Sequence, residues 1–157
     1  YFRLSPGAEV RLRYAFIVKC VHIEKNADGS IEAIHCTYDP DTKSGTPGAD
    51  SRKVKGNIHW LSAHHAHPAE VRLYDRLFTD PHPDSGDKDY KTSLNPDSKQ
   101  IITAYVEAAL CDAESEQSFQ FERNGYFVAD RVDMKPDKPV FNRAVTLRDS
   151  WGKMAGA

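Results

Sequence analysis

An all-β fold, a barrel or a sandwich, is what this sequence predicts. Three observations carry that expectation. Apolar residues alternate with period two in short segments, whereas the 3.6-residue period of an amphipathic helix is nearly absent. The candidate strands are rich in β-branched and aromatic residues. Their connectors are rich in Pro and Gly, which is the spacing of many short strands around one core.

The elements follow in order. Val10 to Glu24, VRLRYAFIVKCVHIE, reads as one long strand. One parity holds Val10, Leu12, Tyr14, Phe16, Val18 and Cys20. The other begins with Arg11 and Arg13 and turns apolar at Ala15, Ile17, Val21 and Ile23. This is the pattern of a strand passing from an exposed site into a core. Asn26-Ala27-Asp28-Gly29 is a turn, since Gly29 accepts positive φ without steric cost. A returning strand from Ile31 to Tyr38 completes a hairpin. Asp39 to Asp50, with two Pro and two Gly, is an exposed loop. Further strands are expected at 52–60, 71–78, 101–106, 119–123, 126–130 and 140–147. Asn124-Gly125 is the strongest hairpin signal of the chain. A single turn of helix fits Tyr105 to Ala113, and the Asp-rich segment 79–95 reads as the most flexible excursion.

Composition is that of a soluble globular protein, with 39% hydrophobic and 28% charged residues. No apolar run approaches the roughly 20 residues that cross a bilayer. The start, Tyr1-Phe2-Arg3-Leu4-Ser5, has no leader character, and the chain reads as part of a longer polypeptide. Cys20, Cys36 and Cys111 are odd in number and far apart, which argues against a disulfide framework and for a reducing, cytoplasmic setting. Each is expected to act as a small apolar filler. Net charge is −2, but its distribution is uneven. Basic residues gather in 1–25 and at Arg52-Lys53-Val54-Lys55, and acidic ones in 80–89 and 112–116. A basic face on an acidic body suits local phosphate binding, although such clusters are usually solvated surface.

His59, His64, His65 and His67 invite a metal reading. Zinc needs three or four converging ligands, and neighbouring His64 and His65 on a strand would face opposite ways. A polar turn ahead of Pro68 is the better account, and no metal is expected. No GxSxG elbow, no phosphate-cradling GxxxxGK[ST] and no GxGxxG occurs. Nothing points to catalytic residues. The informative groups are Arg3, Arg11, Arg13, Gln120, Arg123 and Arg148, in or beside expected strands. Guanidinium groups offer planar, bidentate donors to phosphates and base edges, and an amide both donates to and accepts from a base. On the residues alone the pattern reads more readily as surface charge.

The segments EVRLRYAFIVK, CTYDPDT, KVKGNIHWLSAHHAHPAEVRLYDRLF, FQFERNGYFVAD and KPVFNRAVTLRDSW resemble the C-terminal region of bacterial glutaminyl-tRNA synthetases, nearly end to end. The resemblance implies an all-β fold of two connected six-stranded barrels, similar to a ribosomal protein that binds 5S RNA. The first barrel would be truncated at its N-terminus. It would comprise residues 1–58 with 139–157, and the distal barrel residues 59–138. Function, on this resemblance, is anticodon recognition of tRNA(Gln) within an enzyme that ligates glutamine to its tRNA using ATP. ATP and Mg would belong to a catalytic domain of the same polypeptide, because HIGH-like and KMSKS-like signatures are missing here. No cofactor is expected in this chain, nor a membrane, and a cytoplasmic monomer is expected. By the same resemblance Arg3 matches the reader of the third anticodon base. Arg11 and Arg13 match the pair at the first base and its phosphate. Gln120 and Arg123 match two residues that hold the central uracil. Alternatives are a glutamyl-tRNA synthetase of the archaeal and eukaryotic type, and a free-standing β-barrel protein that binds ribosomal RNA.

Overall fold

A computed structural model of the chain describes residues 4–49 and 52–147. Its regular structure is β, with short 3-10 turns, in two compact units that divide between Trp60 and Leu61.

The first unit is a four-stranded sheet of β1 (Glu9–Leu12), β2 (Ile17–Lys25), β3 (Ile31–Asp39) and β4 (Gly56–Ile58), in the order β3-β2-β1-β4. β1 runs antiparallel to β2 and parallel to β4. The single strand expected from Val10 to Glu24 is therefore folded in two. Leu12 N–H donates to the Phe16 carbonyl and Ala15 N–H to the Leu12 carbonyl, both at 2.9 Å. Tyr14 sits at the bend with φ of +60°. Val10, Ala15, Ile17, Val18 and Cys20 are all buried, and the bend at Tyr14 lets the two halves of the stretch pair with each other as β1 and β2. No Gly, Pro, Asn or Asp marks the bend, so turn chemistry does not announce it.

The Asn26–Gly29 turn and the β2–β3 hairpin form as expected, with Gly29 at φ of +83°. After β3, Asp39 caps a 3-10 turn over Pro40–Thr42. Thr42 is buried there, its Oγ1 accepting from Ile17 N–H at 2.9 Å and donating to the Asp39 carbonyl at 2.7 Å. β4 is only three residues long, shorter than the expected strand over 52–60. Arg52, ahead of it, forms ion pairs with Glu9 and Asp39, so this part of the basic cluster is tied to the unit's own carboxylates.

The second unit is a five-stranded sheet of β5 (Ala66–Tyr74), β6 (Lys99–Glu107), β7 (Ser118–Phe121), β8 (Gly125–Ala129) and β9 (Val140–Thr146), in the order β6-β5-β9-β8-β7. Its core is Ala69, Val71, Val106, Phe127, Ala129 and Phe141, with Phe119 and Phe121 packed against it. Phe121 stacks on Phe127 at 4.4 Å between centroids and meets Phe141 edge-on at 5.3 Å. The helical turn expected near 105–113 is a 3-10 segment, Ala108–Asp112. His64 and His65 lie in a turn as expected, but His67 and Pro68 are already in β5. Pro68 is tolerated because β5 bonds to β9 only from Glu70 onward, leaving that edge open beside it.

β9 pairs with β5 and β8, and its Phe141 is wholly buried in the core of this sheet. The all-β class is as expected, and the described strands form open sheets of four and five, where the resemblance implied two six-stranded barrels with the first truncated.

Candidate nucleic-acid interface

In the first unit the β1–β2 bend presents the basic groups. Arg11, on β1, points its guanidinium into the loop after β3. Nη1 donates to the Thr42 carbonyl at 2.7 Å and the Ala15 carbonyl at 3.3 Å, and Nη2 to the Ala49 carbonyl at 2.6 Å. Ser44 Oγ lies 3.3 Å from Nη1 and itself bonds the Ala15 carbonyl. Arg11 is thus a brace for 42–49, with much of its donor capacity spent on backbone oxygens.

Arg13 has left the strand and lies in the bend, so the two arginines do not share a strand face as the sequence implied. Its guanidinium carbon sits 5.0 Å from the centroid of the Tyr14 ring, and Nη2 meets the Tyr14 hydroxyl at 3.3 Å. Its carbonyl accepts from Trp60 Nε1 at 3.0 Å, and its N–H donates to the Ile58 carbonyl. Tyr14 is 75% exposed and Trp60 is also exposed. The bend therefore offers a guanidinium over one exposed aromatic ring, with a second exposed aromatic, Trp60, bonded to the backbone of the same residue; such groups can stack on unpaired bases.

In the second unit the β7–β8 hairpin carries the other pair. Gln120, on β7, is exposed and stands directly across from Tyr126 on β8, on the face opposite to the core phenylalanines 119 and 121. Arg123 occupies the connecting turn with φ of +64°, exposed. Asn124 N–H closes the turn onto the Phe121 carbonyl at 2.9 Å. Gly125 is required beside it, since a Cβ there would lie 2.7 Å from the Val145 carbonyl oxygen. Tyr126, half exposed, and Val145, its partner on β9, extend this outer face with apolar surface.

Arg3 and Arg148 lie outside the described residues. Tyr14, Trp60 and Tyr126 were missed by sequence reasoning. Their signal was present, as aromatics adjacent to or opposite the candidate polar residues, but period-two alternation assigns aromatics to cores.

Elsewhere in the second unit, charged groups satisfy one another. Arg72 donates to Glu70 at 2.7 Å, Asp130 at 3.0 Å and Asp133 at 2.6 Å, and Asn142 Nδ2 donates to Asp130 at 2.7 Å. Hydrogen bonds from Asn142 and from the Asp133 N–H, with the Arg72 charge, hold the Asp130 carboxyl down at about 2. The Arg72 hydrogen bond likewise lowers Glu70. This cluster ties β5 to β9 and to the segment after β8; its donors are committed. His65 Nδ1 is paired with Ser62 Oγ at 2.7 Å, and among the described residues no group of three or more His, Cys, Asp or Glu could hold a metal ion. No helix among them is long and apolar enough to cross a membrane.

Each bend, taken by itself, carries exposed polar and aromatic side chains of the kind that can contact unpaired nucleotides. Two family models, each described as "tRNA synthetases class I (E and Q), anti-codon binding domain", match residues 57–130 and 1–39. The chain belongs to this family of anticodon-binding domains. Curated relatives named glutamine–tRNA ligase are 66% identical in Nitrosomonas europaea and Ralstonia nicotianae, and 65% in Cupriavidus metallidurans. Each alignment covers 98% of this chain and 26–28% of the relative's own length.

Proposed function

We propose that this chain is the anticodon-reading part of a glutamine–tRNA ligase and that its partner is tRNA(Gln). The observation that carries the reading is 66% identity to such ligases along 98% of the chain. The two polar bends described above supply a chemistry consistent with it. In this reading glutamine activation with ATP and Mg belongs to a catalytic domain of the same polypeptide, which acts in the cytoplasm. The chain itself selects tRNA and performs no chemistry.

Roles are proposed residue by residue. Gln120 offers one donor and one acceptor to the edge of the central uracil, with Arg123 beside it in the turn. Arg13 serves the first anticodon base and its phosphate. Arg11, whose guanidinium is largely occupied by carbonyls, acts there chiefly by fixing the loop, with its remaining N–H groups directed at the phosphate. Arg3 reads the third base. A bidentate contact discriminates a base by roughly 1–3 kcal/mol.

Fluorescence titration of this chain with anticodon stem-loops tests the proposal. Loops carrying U and G at the second and third anticodon positions should bind about tenfold or more tightly than loops with those bases changed. Gln120→Ala should erase the preference at the second position alone. The preference should survive moderate salt, since phosphate contacts weaken with salt regardless of sequence. Equal affinity for every loop would overturn the reading.

A further inference from the structure

Cys20 and Cys36 face each other directly across β2 and β3. The hydrogen bonds of β2 define what kind of pair this is. Cys20 N–H donates to the Ala8 carbonyl at 3.1 Å, and the Cys20 carbonyl accepts from Gly7 N–H at 2.9 Å. Both backbone groups of Cys20 therefore point away from β3, and Cys20–Cys36 is a non-hydrogen-bonded cross-strand pair. Such pairs bring Cα atoms to about 4.5 Å, their closest approach in an antiparallel sheet. That lies at the lower end of the roughly 4.4–6.8 Å that a disulfide spans.

The side chains are arranged to match. Cys20 Sγ lies 3.9 Å from the His22 carbonyl, and Cys36 Sγ lies 3.9 Å from the Ile34 carbonyl. Because the strands are antiparallel, both sulfurs lean toward the same end of the hairpin. Cys20 is wholly buried and Cys36 is exposed, so one thiol meets solvent and the other waits behind it.

The geometry points to an oxidation site: Cys20 and Cys36 form a reversible intramolecular disulfide by exchange with a small-molecule disulfide such as oxidised glutathione. The exposed Cys36 thiolate attacks one sulfur of the external disulfide, making a mixed disulfide and releasing one thiolate. The Cys20 thiolate then attacks Cys36 Sγ, closing the cross-strand bond and expelling the second thiolate. Two protein thiols lose two electrons and two protons, and the oxidant leaves as two thiols. The Cys36 thiol is raised by burial and by the neighbouring Cys20, so exchange accelerates with rising pH. Closing this link pins β2 to β3 beside the bulge that follows Cys20, in the strand bonded to the β1 of Arg11. The inference is independent of the RNA reading above.

The test uses this chain with oxidised glutathione at mildly alkaline pH, followed by thiol titration under denaturing conditions, intact mass and peptide mapping. The expected result is a fall from three thiols to one, with Cys111 remaining, loss of two hydrogens in mass and a peptide linking Cys20 to Cys36. The oxidised chain should also unfold several degrees higher, because a loop of about 15 residues is closed in the unfolded state. Cys36→Ser, at an exposed position, should abolish the link. Cys20→Ala should instead accumulate glutathione on Cys36. Three thiols remaining, a stable glutathione adduct on Cys36 in the unaltered chain, or a link through Cys111 would each overturn the inference.

Discussion

Arg11 carries a structural demand beside the role proposed for it. Its guanidinium reaches the carbonyls of Thr42 and Ala49 in the loop after β3, and that of Ala15, which also accepts from Ser44. Removing the side chain takes this donor from the Thr42 and Ala49 carbonyls, and hydrogen bonds to charged groups contribute about 1.5–3 kcal/mol each at most. Arg11→Ala is expected to lower the stability of the first unit by on the order of 2 kcal/mol, read as a lower urea midpoint. Arg11→Lys should recover little of this, because an ammonium cannot span two carbonyl directions as the planar fork does. RNA affinity should fall with the folded population, and a full-strength loss of affinity at unchanged stability would contradict the bracing role. Arg13 differs from its neighbour in this respect, since its guanidinium lies over an exposed aromatic ring.

The β7–β8 hairpin shows how an element positions the residues of a proposed contact. Its inner face is held by Phe119 and Phe121 against Phe127 and Phe141, so the turn that carries Arg123 is anchored by aromatic packing on both sides. Arg123 holds φ of +64°, a conformation that costs a non-glycine residue roughly 1 kcal/mol. That cost gives a clean separation of stability from binding. Arg123→Gly should leave the thermal midpoint unchanged or higher, while affinity for the matching stem-loop falls several-fold. A midpoint that drops together with affinity would show that the arginine serves the fold and not the RNA.

At the scale of whole units, acid should act chiefly through the Arg72 cluster. Asp130 has its folded value at about 2, below its ordinary 3.8, so the unfolded chain takes up the proton more readily. Its contribution is therefore present above about pH 5, shrinks as pH falls below 4, and is gone below about 2. Glu70 is shifted in the same direction by the same arginine. Asp130 is largely shielded from solvent, and its loss is on the order of 2 kcal/mol. Urea midpoints taken from pH 6 to pH 3 should fall in the unaltered protein, and an Asp130→Asn variant should start lower and fall less. Parallel curves for the two proteins would remove Asp130 from the account.

What could be read from the sequence was local or was carried by resemblance. Asn26–Gly29 and Asn124-Gly125 announce their hairpins because turn residues act within four positions, and alternation of apolar residues is enough for an all-β class. The resemblance named the family that the comparisons then showed. Other features were set only by tertiary structure. The bend at Tyr14 has no turn residue, and it is expressed only in the pairing of β1 with β2 that it allows. The occupation of Arg11 by the loop carbonyls depends on where residues 42–49 return, many positions later. β9 pairs with β5 and β8 and puts Phe141 into that core, which no nearest-neighbour pattern encodes. Turn chemistry acts between adjacent residues, whereas burial is decided between segments far apart in the chain, and the candidate recognition groups depend on both.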